Sequence, residues 1–272
     1  MEKVEIKVVV TGASGSIGAA AVEALARQGH HVVMACRNLQ KARIVRDEIL
    51  SCVPDAHLEI RQLELSSMAS VREFSAGFGP GEVAALFNNA GVISRCYDLT
   101  PEGLEHTFAV NYFGPFLLTN LLLPAMTEEA RIVNMVSLTC RFVSVSPESL
   151  SPGTMDFSRL GTYARAKLAL LYFSLALSRR HPSLKVNVAD PGIVNSNMIT
   201  MGKWFDPLAD VLFRPFCKLP QNGALPALAA LKSNGSGCYF VGHRYYPIPS
   251  RWHDTALQER LWTETERILC YQ

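Results

Sequence analysis

Tyr163 and Lys167 stand four residues apart in Thr162-Tyr163-Ala164-Arg165-Ala166-Lys167-Leu168, a stretch of helical composition. On a helix, positions i and i+4 share a face. An ammonium beside a phenol favours the phenolate, drawing the hydroxyl down from its ordinary value of about 10. A tyrosine tuned this way passes a proton to or from a carbonyl or alcohol oxygen. The pair alone carries little weight, because a half-buried tyrosine and a solvated lysine share a helix face in many proteins. Its meaning depends on what other elements bring to it.

Those elements form a regular series. Strands are expected at Ile6–Val10, His31–Ala35, Leu58–Leu63, Val83–Phe87, Ile132–Val136 and Lys185–Val188. Helices are expected at Ile17–Gln28, Leu39–Leu50, Met68–Phe78, Leu104–Leu122 and Tyr163–Arg179. Continuous apolar strands alternating with amphipathic helices imply βαβ units and a parallel sheet covered on both faces. Right-handed crossovers make that an α/β, doubly wound, Rossmann-type sheet. Ligands of such sheets bind beyond the carboxyl ends of the strands. The 272 residues, 49% hydrophobic and 18% charged, suit one domain spanning residues 1–272. A net charge of +2 without a basic run argues against nucleic acid as a partner. The seven cysteines show no CxxC and no zinc spacing, so no metal site is expected, and their scatter fits reduced thiols in the cytoplasm. The start of the chain shows no secretory pattern, and the most apolar windows are too short or too interrupted to span a bilayer.

Val8-Val9-Val10-Thr11-Gly12-Ala13-Ser14-Gly15-Ser16-Ile17-Gly18 reads as a strand, a glycine-rich turn and a helix start. Glycines at 12, 15 and 18 permit a tight turn, close approach to a pyrophosphate and close helix–strand packing, with phosphates on the helix N-terminus. The competing reading is a plain turn with Ser14 or Ser16 as helix cap. The second strand ends in Cys36-Arg37-Asn38, with Lys41 one turn on. An acidic residue there would hold the ribose 2′-hydroxyl of NAD, whereas an arginine accommodates the 2′-phosphate of NADP. NADP(H) is therefore expected over NAD(H). Leu63-Glu64-Leu65 is expected along the adenine.

Phe87-Asn88-Asn89-Ala90-Gly91 follows the fourth strand, where small residues let backbone approach a cofactor. Asn111 sits within a long expected helix, where asparagine is a poor former and needs a reason. Ser137 ends the fifth strand, and Asp190-Pro191-Gly192-Ile193-Val194-Asn195-Ser196 follows the sixth. With the glycine turn, Asn88–Gly91, Asn111, Ser137, Tyr163 with Lys167, and Pro191-Gly192 in this order, the chain resembles the short-chain dehydrogenase/reductase family. Ala35–Asn38, Leu65–Arg72, Phe108–Thr119 and Ser236–Phe240 place the resemblance nearest the retinol-dehydrogenase-like branch. The resemblance implies that Tyr163 is the acid/base and that Lys167 holds the nicotinamide ribose and tunes Tyr163. It implies that Ser137 binds the substrate oxygen and Asn111 supports a water-linked relay. It further implies a cofactor wall of Gly12, Ser14, Gly15, Ser16, Ile17, Gly18, Asn89, Ala90, Gly91, Pro191, Gly192, Val194 and Ser196.

The chain departs from the family pattern at four places. Ser16 replaces the usual glycine, with Gly15 in its stead; Val136 replaces the first of two serines; Asp190 replaces the histidine before Pro-Gly; Ser196 replaces the usual threonine. Residues 197–220 carry Trp204, Phe205, Leu208, Leu212, Phe213 and Phe216 and are expected to lie over the substrate as an apolar lid. That composition points to a hydrophobic carbonyl or alcohol. The stretch Arg141–Arg159 borders the pocket or covers a face that relatives use to form a homodimer. The leading expectation is an NADP-dependent oxidoreductase. The alternatives are a sugar-nucleotide epimerase or dehydratase, prompted by the glycine spacing, and a non-catalytic NADP-binding sensor.

Overall fold

The computed structural model describes residues 6–192 and 219–270. Eight strands share one sheet: β1 Lys7–Thr11, β2 His31–Cys36, β3 Leu58–Gln62, β4 Val83–Asn88, β5 Met126–Met135, β6 Lys185–Asp190, β7 Tyr239–Val241 and β8 Arg244–Tyr246. Their order is β3-β2-β1-β4-β5-β6-β7-β8, every pair parallel except β7–β8. The order reverses between β1 and β4, which opens a crevice at their carboxyl ends. Helices α1 Ser16–Ala26, α2 Leu39–Cys52 and α7 Pro220–Lys232 cover one face; α3 Met68–Ala76, α5 Gly114–Leu122, α6 Arg159–Arg180 and α8 Thr255–Leu269 cover the other. The fully buried valines of β1 and β2 show why these strands read as unbroken apolar runs: both their faces are covered. The expected strands and helices are present within a few residues of their forecast ends. The exception is β5, which begins at Met126, six residues early.

The expected helix at Leu104–Leu122 is built in three pieces. α4 His106–Phe108 leads into a π-helical turn, Ala109–Phe113, and then into α5. Asn111 lies in that wide turn, which is its reason for being there. A polar ladder ties the sheet to α6. Asn88 Nδ2 donates to Asn134 Oδ1 at 2.8 Å and to Thr119 Oγ1 at 3.0 Å. Asn134 Nδ2 donates to Ser174 Oγ at 2.8 Å. The ladder is buried throughout, so its bonds are worth more than they would be in water, and they fix where α6 sits over β4 and β5. On the same face Phe116 meets Phe173 and Trp262 at centroid distances of 4.8 and 5.0 Å, and Tyr112 and Thr265 hydroxyls pair at 2.6 Å. Those contacts clamp the helix carrying Tyr163 and Lys167 between α5 and α8.

Candidate active site

A cleft of about 780 Å³ opens along the carboxyl ends of the strands. At one end lies the glycine turn. Gly12 adopts φ +63°, and a Cβ there would come within 2.9 Å of Ala90 Cα. A Cβ on Gly18 would come within 2.3 Å of the Gly12 carbonyl oxygen, so neither position admits a side chain. Thr11, which sequence reasoning passed over, brackets the turn: its hydroxyl accepts from the Asn89 and Ala90 amides, each at 3.0 Å. Asn89 Nδ2 returns a bond to the Thr11 carbonyl at 2.9 Å. Helix α1 begins at Ser16 with no side-chain cap. Its first residues, Ser16 and Ile17, line the cleft beside Ser14 and Gly15. A backbone cradle too tight for side chains, ending on an uncapped helix N-terminus, fits the pyrophosphate of a dinucleotide. The serine-cap alternative is not what the turn adopts.

Farther along the cleft lie Arg37, Asn38 and Lys41, then Glu64 and Leu65. Arg37 is exposed and reaches Glu64 with Nε–Oε2 3.5 Å. Asn38 caps α2, its side chain accepting from the Lys41 amide at 2.9 Å, so it shapes the wall through the backbone. Ile17, Gly18, Asn89, Ala90, Gly91 and Pro191 also line the cleft. Val92, Val110, Met135 and Val136 join them, unforeseen because plain aliphatic side chains carry no chemical signal in a sequence. Gly192, with φ +71°, is not on the wall; Val194, Ser196 and nearly all of the expected lid lie outside the described residues.

Tyr163 and Lys167 both line the cleft at its far end. Lys167 is 2% exposed, and its Nζ donates to the Met135 carbonyl at 2.9 Å. It stands 6.0 Å from the Tyr163 ring centre. A Cβ on Gly91 would lie 2.8 Å from Asn111 Oδ1 and 3.3 Å from Lys167 Nζ, so this glycine makes room for both. Asn111 is buried behind that wall. Its Nδ2 donates to the carbonyls of Val92 and Thr107, and its Oδ1 accepts from Val92 N at 3.2 Å. Ser137 lies beside Tyr163, its hydroxyl also accepting from Thr139 Oγ1 at 3.0 Å.

The expectation that Lys167 draws the phenol down is not met in the protein itself. Burial pushes Tyr163 up, neighbouring Cys140 and Asp190 add to it, and the Ser137 hydrogen bond opposes. Burial also brings Lys167 down to about 8. Both groups pay the cost of leaving water, and at 6.0 Å the ammonium does not offset it for the ring. Asp190, flagged as a departure, is 2% exposed and fully engaged: Oδ1 accepts from Gly192 N at 2.8 Å and Oδ2 from the Tyr239 hydroxyl at 2.5 Å. No cluster of metal-ligating side chains occurs among the described residues.

This crevice, with its glycine cradle and its Tyr-x3-Lys helix, is that of a nicotinamide-dependent oxidoreductase fold, and the chain belongs to the short-chain dehydrogenase family, whose model matches residues 7–203. Its likeness falls in the retinol-dehydrogenase-like branch. It is 32% identical to human retinol dehydrogenase 13 over 96% of this chain and 84% of that protein. It is 33% identical to bovine retinol dehydrogenase 12 (96% and 85%) and 32% to a chloroplastic short-chain dehydrogenase, TIC 32 A, of Brassica napus (93% and 85%). Among solved structures, an uncharacterised protein of Mycobacterium paratuberculosis superposes with a TM-score of 0.79 at 29% identity, over 97% of this chain and 92% of that one. A Shigella flexneri short chain dehydrogenase complexed with NADP gives 0.67 at 20% identity (90% and 100%), a likeness of fold.

Proposed function

We propose that this protein is an NADP(H)-dependent oxidoreductase acting on a hydrophobic carbonyl or alcohol, with Tyr163 as the acid/base. The observation that carries the reading is that Tyr163 and Lys167 share one cleft with a backbone phosphate cradle and two exposed cations, Arg37 and Lys41. A nicotinamide dinucleotide bound here would supply the hydride chemistry. The turn at Gly12–Gly18 would hold its phosphates. Arg37 would exchange Glu64 for the 2′-phosphate, with Lys41 adding charge. Lys167 would hold the ribose hydroxyls while keeping its bond to Met135. Ser137 would hydrogen-bond the substrate oxygen, and Tyr163 would give that oxygen a proton in reduction or take one in oxidation. Asn111 fixes the wall behind Lys167.

Two observations support a hydrophobic substrate. Leu138 and Phe142, just past Ser137, are exposed, Phe142 at 78%. The relatives in the branch are named for retinol. Among the described residues one helical stretch, His106–Ala125, is long and apolar enough to cross a membrane, and 83% of its apolar window is buried inside the protein, as in a core helix. One domain and a cytoplasmic site, where the six described free cysteines would stay reduced, belong to the same reading. The test is oxidation of NADPH and of NADH against a carbonyl panel including all-trans-retinal, beside Tyr163→Phe. The reading requires turnover with NADPH preferred and a loss of about 10³-fold or more in the variant with cofactor binding intact. Comparable rates in the variant would sink the assignment of Tyr163.

A further inference from the structure

Among the described residues that line the cleft, Glu64 is the one carboxylate, and it stands beside the exposed Arg37. It follows directly on Leu63, whose amide donates to the Cys36 carbonyl at 3.0 Å. That bond sets the chain at Arg37 and the chain at Glu64 side by side. Four further bonds fix Glu64 in place. Its amide donates to Ser70 Oγ at 3.1 Å, and its carbonyl accepts from the Ser67 amide at 3.1 Å. Its Oε1 accepts from the Ser66 amide at 3.2 Å and from the Ser66 hydroxyl at 2.8 Å. Oε2 is the oxygen left over, and it faces Arg37 Nε at 3.5 Å. The Ser66 bonds account for an acceptor at this position. They do not account for a charge, since a glutamine oxygen would accept both. The other ionisable side chains on the cleft wall are Lys41, Tyr163 and Lys167, so nothing else there competes with a bound anion.

We propose that Glu64 is a specificity-determining residue: an anchored internal anion that occupies Arg37 in the free protein, and so lowers affinity for dinucleotides bearing a 2′-phosphate while sparing those without one. The proposal rests on the NADP(H) reading above. The Arg37 and Glu64 side chains are 64% and 27% exposed, and an ion pair so open to water is weak. A stronger anion can therefore draw Arg37 away. A phosphate monoester carries about −1.5 to −2 at pH 7 and engages several guanidinium donors at once. Glu64 does not leave with the arginine, because its Oε1 stays on Ser66. The incoming phosphate thus works against two terms: loss of the Arg37–Glu64 pair, and repulsion from a carboxylate held close by. A ribose bearing a free 2′-hydroxyl brings no charge and meets neither term. The site has the arginine suited to NADP(H), with its grip set below what that arginine alone would give.

The test is Glu64→Gln in the full chain, titrated by calorimetry with 2′,5′-ADP and 5′-AMP, and with NADPH and NADH beside them. The variant keeps an acceptor for Ser66 and removes the charge. It is expected to bind 2′,5′-ADP and NADPH about 3- to 10-fold more tightly than wild type, and 5′-AMP and NADH within about twofold of it. The gain should shrink as salt is added, since the charges are open to water. An unchanged affinity for 2′,5′-ADP in the folded variant overturns the proposal. So does an equal change for both probes, which would make Glu64 a contact to adenine or a prop of its turn. Where the glutamine variant does not fold, Glu64→Asp keeps an acid near Ser66 and shortens its reach toward Arg37. A gain confined to the 2′-phosphorylated probes is again expected, and its absence overturns the proposal. Arg37→Gln reports on the underlying reading by itself. If it weakens 2′,5′-ADP while Glu64→Gln strengthens nothing, the NADP(H) reading stands and the proposal falls. If Arg37→Gln leaves 2′,5′-ADP unchanged, the reading falls and takes the proposal with it.

Discussion

Lys167 is held at a thermodynamic loss, and that loss can be measured. Its displacement from 10.5 to about 8 corresponds to about 3 kcal/mol at 1.36 kcal/mol per pH unit. The side chain is 2% exposed, so solvent screening does little to reduce the figure. Replacing it with Met keeps an unbranched chain of similar length and removes the buried charge. It also strips the Met135 carbonyl of its donor, at a cost of about 1 kcal/mol. Lys167→Met is therefore expected to be about 2 kcal/mol more stable than wild type at pH 7. Below pH 8 both folded and unfolded wild-type chains carry the proton, and the penalty is constant. Between about 8 and 10.5 the unfolded chain binds a proton that the folded chain has shed, so wild-type stability rises with pH and the gap narrows. Urea denaturation of both proteins at pH 7, 8, 9 and 10, compared as a difference curve, isolates this group, since other titrations cancel. A flat difference, or a variant less stable at pH 7, would refute the reasoning. The same variant should lose most turnover, a trade of stability against activity located in one side chain.

Other outcomes follow from single contacts. Arg37→Gln should weaken NADPH binding by about 10- to 100-fold and leave NADH nearly unchanged, because one charge-assisted contact is removed; paired titrations of the two dinucleotides measure it. Gly18→Ala should lower stability by about 1–3 kcal/mol in thermal melts and abolish dinucleotide binding, since its Cβ meets the Gly12 carbonyl at 2.3 Å. Phe116→Ala should cost about 3–5 kcal/mol in chemical denaturation by opening the contact with Phe173 and Trp262.

The features legible in the sequence were those whose chemistry is local. Gly12, Gly15 and Gly18 fall within one turn, and Tyr163 and Lys167 within one helical repeat. The buried strands announced themselves as β-branched runs. What escaped notice depends on partners far apart in the chain. Asp190 meets Tyr239 across 49 residues, Tyr112 meets Thr265 across 153, and the Thr11 hydroxyl gathers two amides almost 80 residues on. The misjudged electrostatics of Tyr163 has the same origin. Spacing gives the distance along a helix face, whereas burial, which decides the sign here, comes from strands and turns elsewhere. The amphipathic stretch Thr255–Leu269 was readable as a helix by its period and was passed over; its capping aspartate, Asp254, stands directly before it.

The wide turn at Ala109–Phe113 has a consequence for which lengths of this segment the fold can accept. A π-turn holds one residue more than the α-turn it replaces, and each residue of helix advances side chains by about 100°. Removing any one of those five residues would let the segment wind as plain α-helix and leave Phe116, Leu117 and downstream anchors such as Thr119, which meets Asn88 of the central sheet, near their present bearings. The segment thus absorbs a one-residue shortening inside the wide turn and not beyond it, where each lost residue would swing those side chains by about 100°.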